Sequence, residues 1–392
     1  MPWKESSAMS LREELVRAVE LNKVTLTEAS RCMGVSRKTA IKWRDRFRAG
    51  ESFVDRSRRP RTSPQRTAHE LEQRILEARA AHPAWGGRKL AAWLRARGLA
   101  DVPAPSTITA ILRRHGLIDP VESAKRGPFT RFEHDAPHRL WQADFKGHVP
   151  LARGGRCHPL TVLDDHSRYC IGLRACADQR EETVRMHLTD LFRIHGLPER
   201  ILCDNGSPWG TAGGEALHTA LTVWLLKAGV VVVHGRPCHP QTQGKEERFH
   251  RTLKAELLSR TTLRDLDDAQ RAFDPWRNLY NHERPHEALG MLVPACRYRF
   301  AQRAYVEPPR QLEYDQGEET RCVDQSGVIG YRGVPVRVGR AFIGERVALR
   351  PAAHPDHRHV CLGAYLIGLL DLNLAAQRHA HRASLIPLEP AV

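Results

Sequence analysis

The stretch Cys203-Asp-Asn-Gly206, resumed downstream as His239-Pro-Gln-Thr-Gln-Gly-Lys-Glu-Glu-Arg-Phe-His-Arg-Thr-Leu-Lys254, decides the fold. Arg200-Ile-Leu-Cys203 is an apolar strand that runs out into Asn205-Gly206, so Asp204 sits at a sheet edge, where sites in α/β folds form. Glu247 lies on a helix. There Glu247, Arg251 and Lys254 share one face at i, i+4, i+7, while Phe249, Leu253 and Leu257 line another. One face packs, and the other presents an acid beside two cations. That combination suits phosphodiester chemistry, in which an acid holds a hard metal and cations hold phosphates.

Upstream, Leu140-Trp-Gln-Ala-Asp-Phe-Lys-Gly-His148 alternates as a strand. Trp141, Ala143 and Phe145 fall on one face, and Gln142, Asp144 and Lys146 on the other, which reads as the polar face. Asp144, Asp204 and Glu247 then form a D, D, E set.

The strings Trp141-Gln-Ala-Asp144, Leu163-Asp-Asp-His-Ser-Arg168, Asp204-Asn-Gly206 and His239-Pro-Gln-Thr-Gln-Gly-Lys-Glu-Glu-Arg248 resemble the catalytic core of bacterial insertion-sequence DDE transposases related to retroviral integrases. The likeness covers residues 138–300. It implies an RNase H-like core in which Asp144, Asp204 and Glu247 are both the catalytic acids and the ligands of two Mg²⁺ ions, with Mn²⁺ able to substitute. Two departures stand out. The 42 residues between Asp204 and Glu247 exceed the family's usual spacing, and the Gly-rich stretch Trp209-Gly-Thr-Ala-Gly-Gly214 can absorb the excess as a surface loop. Glu246 stands where the family more often has an apolar residue; Arg248 and the face shared with Lys254 favour Glu247 as the catalytic acid.

The 392 residues carry a formal charge of +16, with a pI near 9.8, and this calls for a polyanionic partner. Residues 1–137 hold 27 basic against 16 acidic side chains, so the first third supplies +11 of it. No apolar run approaches a membrane span and no basic amphipathic anchor stands out, which leaves double-stranded DNA as the partner. Nine cysteines without a Cys-x-x-Cys pair argue against a disulfide framework or a thiolate zinc site, and a missing signal-peptide core points to the cytoplasm, associated with the nucleoid. Cys203 reads as packing at the end of a buried strand.

In chain order, residues 1–55 read as three short helices. Thr27 is the expected cap of the second and Ser36 of the third, which carries Arg37, Lys38, Lys42 and Arg44 around Ile41 and Trp43. This is the pattern of a helix-turn-helix with a basic recognition helix. Residues 56–66 form a basic linker whose Arg58, Arg59 and Arg61 could track phosphates. Residues 67–118 resemble the second helix-turn-helix of such transposases, with Arg88 and Lys89 in Trp85-Gly-Gly-Arg-Lys-Leu90 and Ser106 as the expected cap of a last helix.

A linker at 119–137 leads to the core at 138–300, read as βββαβαβα. Its helix at 181–195 is expected to turn Val184, Leu188, Leu191 and Ile194 inward. Lys245, Arg248, Arg251 and Lys254 are its expected DNA contacts, while Asp164 and Asp165 are assigned to turn capping or pairing with Arg168. His234, His239 and His250 read as loop polarity or DNA contacts, because a Mg²⁺ site prefers oxygen donors. Residues 301–320 form a further linker, 321–375 a small SH3-like β-barrel, and 376–392 a tail. His354, His357, His359 and Cys361 suggest a surface loop before they suggest zinc.

The whole is a multidomain α/β chain: helix-turn-helix domains, an RNase H-like core with a mixed sheet, and a C-terminal barrel. Its expected activity is binding of an insertion sequence's terminal inverted repeats, cleavage of the strand ends and joining of the 3′-hydroxyl to target DNA. Bringing two DNA ends together suggests a dimer or tetramer. A non-catalytic helix-turn-helix repressor is the alternative.

Overall fold

The computed structural model describes residues 7–56, 67–118, 133–210, 218–234, 244–307, 312–373 and 383–385. They belong to two compact units, 1–66 and 67–392. In the first unit, helices α1 (Ala8–Glu20), α2 (Leu26–Cys32) and α3 (Arg37–Arg48) close on Leu15, Val16, Ala29, Ala40 and Trp43. Ser36 caps α3 as expected, by accepting from the Thr39 amide. The cap of α2 is Thr25 rather than Thr27. Thr25 and Glu28 form a reciprocal capping box, which satisfies two free amides where Thr27 could satisfy none outside the helix.

The second unit opens with α4 (His69–Ala81), α5 (Gly87–Ala96) and α6 (Pro105–Arg114), around Ile75, Trp85, Leu90 and Ile108. The start of α6 is set by Pro105 at its first turn, with Ala104 as cap, and not by Ser106. Gly87 lets α5 and α6 meet: a Cβ there would lie 2.4 Å from both the Pro105 carbonyl oxygen and the Thr109 hydroxyl.

A mixed sheet follows, built from β1 (Leu140–Phe145), β2 (Val149–Pro150), β3 (Arg156–Asp164), β4 (Cys170–Cys176), β5 (Arg200–Cys203) and β6 (Val231–His234). Strand β3 pairs antiparallel with both β4 and β1, whereas β1–β5 and β5–β6 are parallel. The lateral order β4-β3-β1-β5-β6 is the one expected of an RNase H-like core, with β2 extending β3. On one side of the sheet, α7 (Glu181–His195) and α8 (Ala220–Lys227) pack through Leu188, Phe192, Leu221 and Leu225. On the other, α9 (Gly244–Leu253) and α10 (Leu266–His282) pack through Phe249, Leu253, Phe273 and Trp276. Ile194, expected inward, is 56% exposed; Phe192 fills the core in its place because Leu188 and Phe192, four apart, already define the buried stripe.

The C-terminal part holds an antiparallel sheet of Thr320–Cys322, Arg346–Pro351, His357–Leu362 and Tyr365–Asp371, and a second sheet of Val328–Tyr331, Val334–Arg337 and Ala383–Ser384. Their core is continuous with Val223 and Leu226 of α8. His357, His359 and Cys361 alternate along a strand here instead of crossing a loop, because the chain pairs them with both neighbouring strands.

Candidate active site

Asp144 and Asp204 stand on adjacent parallel strands, each two residues beyond the last paired rung, Gln142–Leu202. The register thus brings both carboxylates to the same end of the sheet. Each is sparsely hydrogen-bonded. The Phe145 amide donates to Asp144 Oδ1 at 2.8 Å, and the Gly206 amide donates to Asp204 Oδ1 at 3.2 Å. The His234 imidazole Nδ1 donates to the Asp204 backbone carbonyl at 3.0 Å. Burial, opposed by the Phe145 amide and reinforced by the charges of Asp204 and Glu247, lifts the Asp144 carboxyl to about 6. Asp204 is also raised by burial, against the Gly206 hydrogen bond and His234.

Helix α9 arrives across the sheet with Phe249 and Leu253 buried, while Glu247, Arg248, Arg251 and Lys254 are exposed, as the helical spacing requires. Glu247 is close enough to act on Asp144 through its charge. The helix then relaxes into a π-helical turn, Lys254–Leu258.

Glu246, the residue that departs from the family pattern, points the other way and is 1% exposed. Its Oε2 lies 3.0 Å from the Thr161 hydroxyl, which is also 2.8 Å from His250 Nε2 and 2.9 Å from the Asp144 carbonyl oxygen. Thr161 has one proton to give, so a second donor, the imidazole or a protonated Glu246, must complete this cluster. Burial holds Glu246 well above the usual carboxylate range; the Asp144 charge pushes the same way and the Thr161 hydrogen bond opposes it. Burial brings His250 down to about 3, with Lys146 adding to the effect, so at neutral pH its imidazole is uncharged. His250 is therefore a buried partner of the β1–β3 pair and not a loop or DNA-facing residue. Gln142 likewise is 2% exposed, because the face of β1 that alternation marks as polar is covered by α9 and the β3–β4 turn.

The turn after β3 uses its two acids differently. Asp164 accepts from the His138 amide at 2.8 Å and from both the amide and hydroxyl of Ser167, which is turn capping as expected. Asp165 accepts from Gln142 Nε2 at 2.7 Å, from the His134 amide at 2.9 Å and from the Lys245 ammonium. Lys245, expected among the DNA contacts, is turned inward to this carboxylate, its side chain 19% exposed. Arg168 pairs with Glu133 at 3.3 Å, donates to the Asp165 backbone carbonyl, and acts on the Asp165 carboxylate through its charge.

Of the other expected DNA contacts, Arg37, Lys38 and Lys42 are exposed on α3, and Arg44 is bonded to its neighbour Asp45. On α5, Arg88 is exposed at 3.4 Å from Glu287, and Lys89 is half-buried. Arg58, Arg59, Arg61 and His239 lie outside the described residues, as do 211–214 of the Gly-rich stretch. Cys203 is fully buried and its thiol is pushed up by burial, which fits packing alone.

The donor set Asp144, Asp204 and Glu247 is all oxygen, and the charges of Asp204 and Glu247, which add to burial in lifting Asp144, are what a divalent cation would offset. Among the described residues, no three carboxylate, imidazole or thiolate side chains are gathered closely enough to hold a metal ion, so the acids share a field rather than a formed coordination shell. Among the described residues, no helix is long and apolar enough to cross a membrane.

Comparison with known proteins finds similarity in each of these regions. Residues 134–240 and 228–294 match models of the integrase core domain. Residues 11–61 match a helix-turn-helix domain, 39–112 a homeodomain-like domain, and 318–377 the C-terminal domain of IS481-family transposases. The chain is 28% identical over 160 residues to a protein of insertion element IS407 from Burkholderia multivorans, covering 41% of this chain and 55% of the relative. It is 26% identical over 159 residues to one of insertion element IS476 from Xanthomonas euvesicatoria, covering 41% and 44%. It is also 26% identical over 174 residues to the Gag-Pol polyprotein of avian reticuloendotheliosis virus, covering 39% and 14%. The chain thus spans about half the length of the insertion-element relatives it matches.

Among solved structures, the simian T-cell lymphotropic virus intasome gives a TM-score of 0.38 at 11% identity, covering 76% of this chain and 96% of that one. The HTLV-2 integrase catalytic core in complex with magnesium gives 0.31 at 14%, covering 41% and 94%. Sheet order and the core matches define the class of residues 134–294, an integrase core domain. The match at 318–377 is more particular, since that segment is similar to the C-terminal domain of IS481-family transposases, while the core is similar to insertion-element proteins and to a retroviral Gag-Pol polyprotein.

Proposed function

We propose that the protein binds the terminal inverted repeats of an insertion sequence, cleaves the strand ends and joins each freed 3′-hydroxyl to target DNA. The observation that carries this is that Asp144 and Asp204 lie side by side at the same end of two central strands, with exposed Glu247 acting on Asp144 from α9. Asp144, Asp204 and Glu247 would hold two Mg²⁺ ions; when bound, these supply activation of the attacking oxygen and stabilisation of the leaving one. In cleavage a water oxygen bonds to phosphorus as the P–O3′ bond breaks, and O3′ takes a proton. In joining, that hydroxyl loses its proton and attacks a target phosphate, displacing another O3′.

Arg248, Arg251 and Lys254 extend from the same exposed face as Glu247 and hold phosphates without regard to base. Arg37, Lys38, Lys42 and Arg44 on α3, with Arg88 and Lys89 on α5 and the arm residues Arg58, Arg59 and Arg61, engage the element ends. Two ends held together imply a dimer or tetramer on DNA, working in the cytoplasm at the nucleoid.

The test is strand transfer of a labelled element-end duplex into plasmid DNA with Mg²⁺. Joining by the wild type, lost in Glu247→Gln with DNA binding retained and kept in Glu246→Gln, is the expected result. Binding without cutting or joining under any divalent metal overturns it in favour of a DNA-binding repressor.

A further inference from the structure

The turn after β3 holds a buried acid that the chemistry above leaves unused. Asp165 is 3% exposed, and its two oxygens collect donors from three separate segments. Gln142 Nε2 reaches Oδ1 at 2.7 Å, the Lys245 ammonium reaches the same oxygen, and the His134 amide reaches Oδ2 at 2.9 Å. The Asp165 amide in turn donates to the Leu140 carbonyl at 3.0 Å.

Two of these partners sit at matching places. Gln142 precedes Asp144 by two residues on β1, and Lys245 precedes Glu247 by two residues in the first turn of α9. A residue two along a strand shares its face, and a residue two along a helix lies within the same turn, so fixing either partner fixes the neighbouring acid. A buried pair between oppositely charged side chains also disfavours any other arrangement, since separating them leaves a buried charge without a partner. We propose that Asp165 is a positioning residue: by holding Gln142 and Lys245 on one carboxylate, it sets the distance between the strand that carries Asp144 and the helix turn that carries Glu247. This rests on Glu247 being the catalytic acid. It also takes Lys245 out of DNA contact and gives the string Leu163-Asp-Asp-His-Ser-Arg168 a task in the active site without a place in the acid triad.

The test compares Asp165→Asn, Lys245→Met, Lys245→Arg and the double variant Asp165→Asn/Lys245→Met in the full chain. Three readouts are taken: strand transfer, binding to the element-end duplex across a salt series, and amide hydrogen exchange over residues 244–250. We expect exchange in that turn to quicken in Asp165→Asn and Lys245→Met, and kcat for joining to fall about 10- to 100-fold, the scale of a misplaced catalytic group, with KM for DNA unchanged. The double variant falls no further than either single one, and Lys245→Arg recovers most of the rate. If Lys245 instead contacts a phosphate, Lys245→Met flattens the slope of log affinity against log salt by about one, while Asp165→Asn leaves binding and rate alone. That result overturns the proposal, as does unchanged exchange in both single variants. Hydrogen exchange needs no activity: a wild type that never joins DNA defeats the transposase function, whereas the brace between the two elements still stands or falls on exchange.

Discussion

Two pairs of aspartates end strands in the same sheet, and their surroundings are opposite. At the β3–β4 turn, Asp164 accepts three hydrogen bonds within the protein and Asp165 accepts three more, one of them from an ammonium. At the ends of the adjacent strands β1 and β5, Asp144 and Asp204 each accept, among the described residues, one hydrogen bond on the side chain, from a backbone amide close by in sequence. The first pair is saturated, and the protein itself supplies the charge compensation. The second pair is left with unspent acceptor capacity and mutual repulsion, which suits groups that await a cation and a substrate. Proximity of acids is therefore a poor guide to catalysis by itself; the count of donors already committed to each carboxylate separates the two pairs.

The contrast can be broken most directly by neutralising one member of each pair. Asp204→Asn is expected to lower strand transfer on the order of a thousandfold or more, with far-UV circular dichroism and DNA-end binding unchanged. Asp164→Ala should act on the fold instead. It strands the His138 amide and both Ser167 donors in a buried site, a cost of roughly 3 kcal/mol or more, read as a fall in urea midpoint or in soluble yield. An Asp204→Asn protein that fails to fold, or an Asp164→Ala protein that folds normally and loses only activity, would reverse the assignment of the two pairs.

The pH dependence of stability sharpens the same contrast. Asp144 is raised to about 6 from an ordinary 3.8, so the folded protein holds this proton more tightly than the unfolded chain does. A raised carboxyl contributes stability at low pH that is lost as pH climbs through the folded value. Without metal, Asp144 alone should therefore remove up to about 3 kcal/mol of stability between pH 4 and pH 6. Asp165 is held below the ordinary range: burial pushes it up, and the Lys245 and His134 contacts outweigh burial, so its contribution runs the other way and is lost as pH falls. Glu246 shifts in the same sense as Asp144, so the wild-type curve must be compared with that of Asp144→Asn. The difference isolates Asp144. A flat difference between pH 4 and 7 would mean that Asp144 is already compensated in the metal-free fold.

What was legible in the sequence follows the range of each signal. Alternation on 140–145 and the 3.6-residue period on 244–257 are local, and they placed Asp144, Glu247, Phe249 and Leu253 on the faces where they stand. Local signals also exposed the apolar strand before Asp204. The partners of Gln142, Glu246, His250 and Lys245 on β3 and its turn come from 23 to 89 residues away, and no periodicity carries that information. A polar residue on a strand's second face looks solvent-facing until the element that covers it is known. The cation at 245 looked like a phosphate contact for the same reason: the cluster of basic residues on α9 was visible, but not that its first member already had a buried acid opposite.

The smallest effect tests how far the donor count can be carried beyond aspartates. Glu256, in the π-helical turn that continues α9, is half-saturated: its Oε1 accepts from Trp85 Nε1 at 3.1 Å and from Arg284 Nε at 2.9 Å, while Oε2 is buried without a hydrogen-bond partner. Trp85 belongs to the string Trp85-Gly-Gly-Arg-Lys-Leu90, so this bond joins the α4–α6 helices to the core. Trp85→Phe removes one donor but leaves Arg284 on the same oxygen, so the carboxylate is not abandoned. The expected loss is about 1–2 kcal/mol, part hydrogen bond and part lost ring volume, measured by urea unfolding. Combining it with Glu256→Gln should cost less than the sum of the two single changes, since each removes the same bond. If the losses simply add, the indole and the carboxylate are independent, and committed donors are not what holds this carboxylate in place.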